Sequence, residues 1–509
     1  MRTEELPSPG IGTLGFKLRN DVVNVISQLE IASSHYPGQK HPSAADVSAF
    51  LEAAMAAFGN TPTPTPTPTG LVSPRVAMVG PSTLERSVYA DQTSGDSRSG
   101  HTAAGPLVWA LSVDRRARHY LETLGAYPWY NGDNFAVGGA VLSEYGPQIT
   151  KAAARLAEYP DDDWIVIYDP GRNDATAGEG LATYQSYVPG HLSALKSAGF
   201  AYILLMNLPY RDPSYGGVWA IGGAARDTVD EINDWLADTY SDDPQIRIID
   251  MQGALMDPAS APDLAPYADA YRSDATHLTN KGGWYAGQPF VTALADICEP
   301  APTYPVDPPG RTIAPFSAGG GTITGNAASG TVANGWTAVA SSSLSVVASL
   351  VTEDGHTWQR FTITGLNSIP ANGRSLTFAL NAPAVLGVGA KKGMRARVRK
   401  NSCPSKWTLY HLFGTSTANG DPAASRTFGI VGIIDNTTNS FNSAANANFA
   451  GAPGFPSEAL DLWLETPAYV LGDGSAVGAY FALVVGPGGG SGDSLILDFA
   501  DVQDFDWPI

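Results

Sequence analysis

Apolar residues along the chain fall into three successive patterns. Near the N-terminus, Val22, Val25, Ile26 and Leu29 share one helical face, and Val47, Phe50, Leu51, Ala54 and Phe58 form a second stripe with Ser43 as N-cap and Gly59 as stop. Two short amphipathic helices are predicted there. From Arg75 to Pro300, short continuous apolar runs alternate with helix-length amphipathic stretches. Val76 to Val79, Trp164 to Tyr168, Tyr202 to Met206 and Ile246 to Ile249 are predicted as buried strands. Leu107 to Leu124, Ile149 to Glu158, Thr183 to Ala198 and Ala224 to Tyr240 are predicted as helices, with another beginning near Gly282. Strict strand and helix alternation implies a parallel sheet covered on both faces, with ligands at the carboxyl ends of its strands. Beyond Pro300 the helical stripes stop. Thr357 to Thr364, Ser375 to Leu380, Met394 to Val398, Trp407 to Phe413, Phe428 to Ile434, Ala479 to Val485 and Leu495 to Phe499 are short, β-rich and separated by Gly, Asn and Ser turns, the pattern of an antiparallel sandwich.

Boundaries follow from composition. The alternating Thr-Pro run from Thr61 to Thr69 cannot donate regular backbone hydrogen bonds and is predicted to be an extended spacer rising about 3.1 Å per residue. The expected organisation is therefore a helical adaptor or oligomerisation segment (1–60), a linker (61–74), an α/β domain (75–300), a linker and first-strand region (301–330) and a β-sandwich (331–509). Two helices in sixty residues bury little by themselves, so the first segment is expected to need a partner, a second copy of the chain or a larger assembly.

With 30 Lys+Arg against 49 Asp+Glu the net charge is −19, which leaves little basic surface for phosphates, so a nucleic-acid partner is not expected. No run of about 18 apolar residues occurs, so membrane insertion is not expected either. Cys298 and Cys403 are far apart and lack CxxC spacing, which makes them core thiols by default. There is no HExxH, Walker A or dinucleotide fingerprint, so no metal or cofactor is expected; nothing in the sequence would locate calcium in the sandwich loops.

Three short motifs lie at predicted strand ends or in the last loop of the α/β region: Gly80-Pro81-Ser82, Gly171-Arg172-Asn173-Asp174 and Asp274-Ala275-Thr276-His277. A nucleophilic serine needs a base, and the base needs a partner that fixes its tautomer; Ser82, His277 and Asp274 supply those roles. The Asn173 amide and a backbone N–H of the Gly138-Gly139 turn can donate to an oxyanion. Taken singly, each motif reads as an ordinary turn, cap or surface loop. His101, His119 and His191 have no partner motif and read as surface histidines. Trp336, Trp358 and Trp407 could stack on sugar rings, although aromatics alternating along strands are more often core.

Taken in order, these blocks resemble the SGNH (GDSL-like) hydrolases over about Arg75 to Pro300, with matches at Ser82, Gly139, Asn173 and Asp274/His277. The resemblance implies a flavodoxin-like three-layer α/β fold and ester hydrolysis. In it Ser82 attacks, His277 acts as base and then acid, and Asp274 orients His277. The Ser82 and Gly139 N–H groups and the Asn173 amide hold the oxyanion. Proline at 81 replaces the usual acid of Gly-Asp-Ser and removes a backbone donor. A literal Gly95-Asp96-Ser97 follows no apolar strand and reads as a decoy. A jelly-roll-like sandwich behind such a domain suggests O-acetyl removal from a polysaccharide. The whole layout resembles phage tail-spike or tail-fibre esterases, hence a virion location, with a secreted or extracellular one as alternative. The competing class is a non-catalytic glycan-binding adhesin on a virion or cell surface.

Overall fold

A computed structural model describes residues 70–85, 116–117, 133–261, 265–267, 270–271, 275–278, 280–300, 313–317, 319–341, 344–370, 373–380, 384–385, 391–404, 407–416, 427–432, 459–465, 469–470, 476–488 and 490–506. The two N-terminal helices, the Thr-Pro run, Ser97, His101, His119 and Asp274 lie outside these residues, as does nearly all of Leu107 to Leu124. All described residues belong to one compact unit, Gly70–Ile509.

The four strands predicted in the α/β region are present: β1 Arg75–Val79, β2 Trp164–Tyr168, β3 Tyr202–Met206 and β4 Ile246–Ile249. They pair in parallel in the order β1-β2-β3-β4. Phe135 extends the sheet beyond β1, because its N–H donates to the Met78 carbonyl at 3.0 Å while Met78 N–H donates to Asp133 at 2.9 Å. Every residue of β1 and β2 is buried, as expected when helices cover both faces. The alternation of side chains sends Ala77, Val79, Val166 and Tyr168 to one core, and Val76, Met78, Ile165 and Ile167 to the other.

The helices are α1 Ser82–Glu85, α2 Gly146–Glu158, α3 Asn173–Thr176, α4 Leu181–Ala198, α5 Ala224–Tyr240, α6 Met251–Leu255 and α7 Asn280–Ile297. Helices α2, α4 and α5 supply Ile149, Leu192 and Ile232 to the first core; α6 and α7 supply Leu255 and Phe290 to the second. Helix α4 stops where Gly199 takes a left-handed φ of 103°, the usual glycine C-terminal device. Beneath β1, the buried Arg75 and Asp133 pair at 3.0 Å, and Arg155 of α2 joins them at 3.0 Å. Burial raises the Asp133 carboxyl pKa and the two arginines oppose that rise.

Beyond residue 318 the described chain is β-rich, in two sheets that share one hydrophobic cluster. Phe361, Val398 and Phe499 come from one sheet, and Trp336, Phe378 and Phe481 from the other. Trp336 stacks on Phe378 at 4.5 Å, and Phe481 meets Phe499 at 4.7 Å. The expectation of purely antiparallel pairing needs correction: Gly319–Thr324 runs parallel to Trp336–Ala340, and Ala328–Gly330 parallel to Ser345–Glu353. These strands fall in the Gly/Ala/Ser-rich stretch where the apolar alternation is weak, so periodicity did not reveal them. Trp336 and Trp358 are fully buried, so neither can stack on a sugar, in line with the core alternative. Cys298 and Cys403 are free and buried. Among the described residues no helix is long and apolar enough to cross a membrane, and no cluster of three or more potential metal ligands occurs.

Candidate active site

The site lies at the carboxyl end of the parallel sheet, where loops leaving β1 and β2 meet the loop before α7. Strand β1 is wholly buried and ends at Val79, and the Gly80-Pro81 turn delivers Ser82 to the first position of α1. Three bonds fix that turn, two of them from outside it. Gly80 N–H donates to Gln148 Oε1 at 2.8 Å, Val137 N–H donates to the Gly80 carbonyl at 3.0 Å, and Leu84 N–H donates to the Pro81 carbonyl at 3.1 Å. Pro81 lacks an N–H, yet the turn needs none there.

His277 reaches Ser82 across 195 residues of sequence. Its Nε2 is 3.0 Å from Ser82 Oγ, the separation a base needs to take the hydroxyl proton. Both residues are half-buried, so the pair is open to substrate and partly shielded from bulk water. Asp274, the expected partner of the His277 ring, lies outside the described residues.

The loop after β2 lies against the nucleophile turn. Gly171 has a left-handed φ of 70°, and a β-carbon there would stand 2.7 Å from Pro81 Cγ and 2.9 Å from the Tyr145 hydroxyl. Conformation and space both require glycine. The next turn starts α3, whose first residue is Asn173; its Nδ2 donates to the Ala140 carbonyl at 2.8 Å. That bond uses one of two amide N–H groups. It also joins Asn173 to the Gly138-Gly139 turn, which is exposed and has Gly139 at φ 79°. Asp174 accepts from Leu142 N–H at 3.0 Å and holds the far side of the same turn. Among the described residues the Ser82 and Gly139 N–H groups have no backbone acceptor.

Sequence reasoning missed two features. Asp169, the residue after β2, is buried behind the nucleophile turn, where its carboxylate accepts from Gly171 N–H at 2.7 Å and bonds the Thr83 side chain. Burial pushes its pKa up to about 6, against the pull of the Gly171 and Thr83 bonds and the Arg172 charge. Its only sequence signal was an acid directly at a strand end. The second feature corrects the reading of His191 as a surface residue. It is half-buried on α4, its Nδ1 is 2.8 Å from the Tyr168 hydroxyl, and its ring stacks on Tyr145 at 5.7 Å; burial lowers its pKa to about 4. A helix position facing β2 cannot be told from an outward one when the stripe, interrupted by Pro189, is this weak.

No protein-family model and no curated protein matches the sequence. Among solved structures, the chain is similar to a candidate lipolytic protein of the G-D-S-L family from Desulfitobacterium hafniense DCB-2, at 15% identity and a TM-score of 0.29, over 43% of this chain and 98% of that one. It is also similar to a member of the lipolytic protein G-D-S-L family from Veillonella parvula DSM 2008, at 12% identity and a TM-score of 0.30, over 43% and 98% of the two chains. A third likeness is to a GDSL-like lipase from Bacteroides thetaiotaomicron VPI-5482, at 11% identity and a TM-score of 0.29, over 48% and 96%.

Proposed function

We propose that the protein is a serine ester hydrolase of the SGNH type. The observation that carries this reading is the 3.0 Å approach of His277 Nε2 to Ser82 Oγ at the carboxyl end of a parallel sheet, beside the Asn173 amide and the Gly138-Gly139 turn. In the proposed reaction His277 removes the Ser82 proton as Oγ attacks the ester carbonyl. The carbonyl oxygen becomes an oxyanion held by the Ser82 and Gly139 N–H groups and the Asn173 amide. His277 then returns the proton to the leaving alcohol, and water hydrolyses the acyl-enzyme with His277 again as base. Asp274 is proposed to fix the His277 tautomer.

The finer reading is removal of O-acetyl groups from a polysaccharide by a tail-associated virion protein, with a jelly-roll-like C-terminal domain (331–509) that binds glycan. The exposed Val137, Gly138 and Gly139 beside the site support it, because an open rim admits a side group of a polymer. Residues 1–60 are proposed to attach the chain to a larger assembly or a second copy, across the 61–74 spacer.

The test is hydrolysis of p-nitrophenyl acetate, followed by acetate release from a panel of acetylated polysaccharides, by full-length protein and its Ser82→Ala variant. A rate on the small ester that vanishes in Ser82→Ala is the expected result. No rate above buffer on any ester would favour the non-catalytic glycan-binding adhesin.

A further inference from the structure

Arg172, one residue before Asn173, is 5% exposed. Its Nη1 donates to the carbonyl oxygens of Pro209 at 3.0 Å and Tyr210 at 2.7 Å, and to the Tyr271 hydroxyl at 3.3 Å. Its Nη2 donates to the carbonyl of Thr276 at 2.7 Å, and Thr276 directly precedes His277. The Tyr271 hydroxyl in turn donates to the Tyr210 carbonyl, and the Tyr271 ring lies 5.6 Å from the guanidinium carbon. Its charge reaches the buried Asp169 carboxylate and opposes the rise of that group's pKa. Among the described residues, however, every hydrogen-bond acceptor of Arg172 is a neutral oxygen, and those oxygens belong to the loop after β3, to Tyr271 and to Thr276.

Tyr271 and Leu278, on either side of Thr276, form an isolated antiparallel bridge. Ala275 sits at φ 55°, a left-handed conformation that strains a non-glycine residue. Contacts from the loop after β3 reinforce it: Arg211 Nη1 donates to Thr276 Oγ1 at 2.6 Å, and Asp212 N–H donates to the Ala275 carbonyl at 3.0 Å. Among the described residues, Arg172 ties Thr276, through one side chain, to the loop that carries Asn173 and abuts the Ser82 turn at Gly171 and Pro81.

We propose that Arg172 is a positioning residue that spans from the Asn173 loop to the Thr276 carbonyl and so holds His277 Nε2 within reach of Ser82 Oγ. The proposal rests on the ester-hydrolase reading for its catalytic consequence. A planar guanidinium is required, because two of its N–H arms address oxygens on separate loops and a compact ammonium cannot reach both. A base displaced by about 1 Å loses on the order of 10²-fold in rate.

The experiment uses the full-length protein and its Arg172→Ala, Arg172→Lys and Ser82→Ala variants, with two readouts. In steady-state hydrolysis of p-nitrophenyl acetate, Arg172→Ala should lose on the order of 10²-fold in kcat with KM within about threefold, and millimolar guanidinium should restore part of the loss. Arg172→Lys should remain impaired. In nitrogen NMR of the histidine side chains, Ser82→Ala identifies the His277 Nε2 resonance by shifting it, and Arg172→Ala should shift it in the same direction. A folded Arg172→Ala with kcat within about twofold of the parent, or with an unmoved His277 resonance, overturns the proposal. If Arg172→Ala fails to fold, a fully active Arg172→Lys with an unmoved resonance overturns it instead. Should the parent hydrolyse no ester, the hydrolase reading fails by itself, while the resonance still reports whether Arg172 positions His277.

Discussion

The parallel sheet and the paired sheets beyond residue 318 solve the placement of polar groups in opposite ways. In the parallel sheet the strands are apolar on both faces, so Ser82, Asn173 and His277 collect at strand ends and connecting loops. In the paired sheets one face of each strand is core and the other carries polar groups across strands. Asp498 accepts from Arg360 through both oxygens at 2.8 Å, and also from Arg399 at 3.0 Å, while the Arg399 guanidinium lies 3.7 Å from the ring of the buried Trp358. Glu353 joins at 2.6 Å from Arg399, which holds its carboxyl below the ordinary range. Among the described residues the first arrangement leaves the Ser82 and Gly139 N–H groups without a backbone acceptor, whereas in the second Asp498, Glu353, Arg360 and Arg399 satisfy one another. Density of charged residues is therefore a poor guide to chemistry here, and strand ends are the better one.

Ser82→Ala should abolish hydrolysis of p-nitrophenyl acetate, a loss on the order of 10⁵–10⁶-fold, and Asn173→Ala should cost on the order of 10²–10³ in kcat. Ser97→Ala should retain the parent rate; loss of activity there with an active Ser82→Ala would move the nucleophile. In the paired sheets, Phe378→Ala removes a ring packed against Trp336, Phe361 and Phe499 and should cost about 3–5 kcal/mol in denaturant unfolding of that region. Its rate on a small ester should stay near the parent's. Equal loss of rate and stability would show that the two regions do not work separately.

A subtler pair of variants lies within the α/β region. Asp169 binds its proton more tightly folded than unfolded, since its pKa is raised from 3.8 to about 6. Its ionisation therefore opposes folding, and its contribution falls as pH rises from about 4 to about 6, by up to about 3 kcal/mol. His191 has a folded pKa lowered from 6.5 to about 4, so the unfolded chain takes up a proton first and stability is lost as pH falls through that window. Asp169→Asn should steepen the loss of stability on acidification from pH 6 to 4, and His191→Gln should flatten it. Melting temperatures at several pH values check both, and slopes of the same sign would contradict the burial assigned to one of them. The smallest effect is expected at the half-exposed Arg397, paired with Asp461 at 2.7 Å, where Arg397→Ala should change stability by about 1 kcal/mol or less in the same melts.

Much of this was legible along the chain. The four buried strands were readable because continuous β-branched and aromatic runs such as Trp164 to Tyr168 fit little else between turn residues, and the order of the Ser82, Asn173 and His277 motifs followed from their places at element ends. Weak alternation hid Gly319–Thr324 and Ala328–Gly330, and periodicity could not orient His191 on α4.

Residue types and their local period are one-dimensional properties, so the sequence by itself determined the alternation of strands and helices, the compositional break near Pro300 and the candidate nucleophile and base. The 3.0 Å between Ser82 and His277 was a matter for the tertiary structure alone. So were the burial that raises Asp169 and lowers His191, and the reach of Arg172 to Thr276. Each of these depends on loops distant in sequence being carried to one end of a packed sheet, and desolvation exists only once that packing has excluded water.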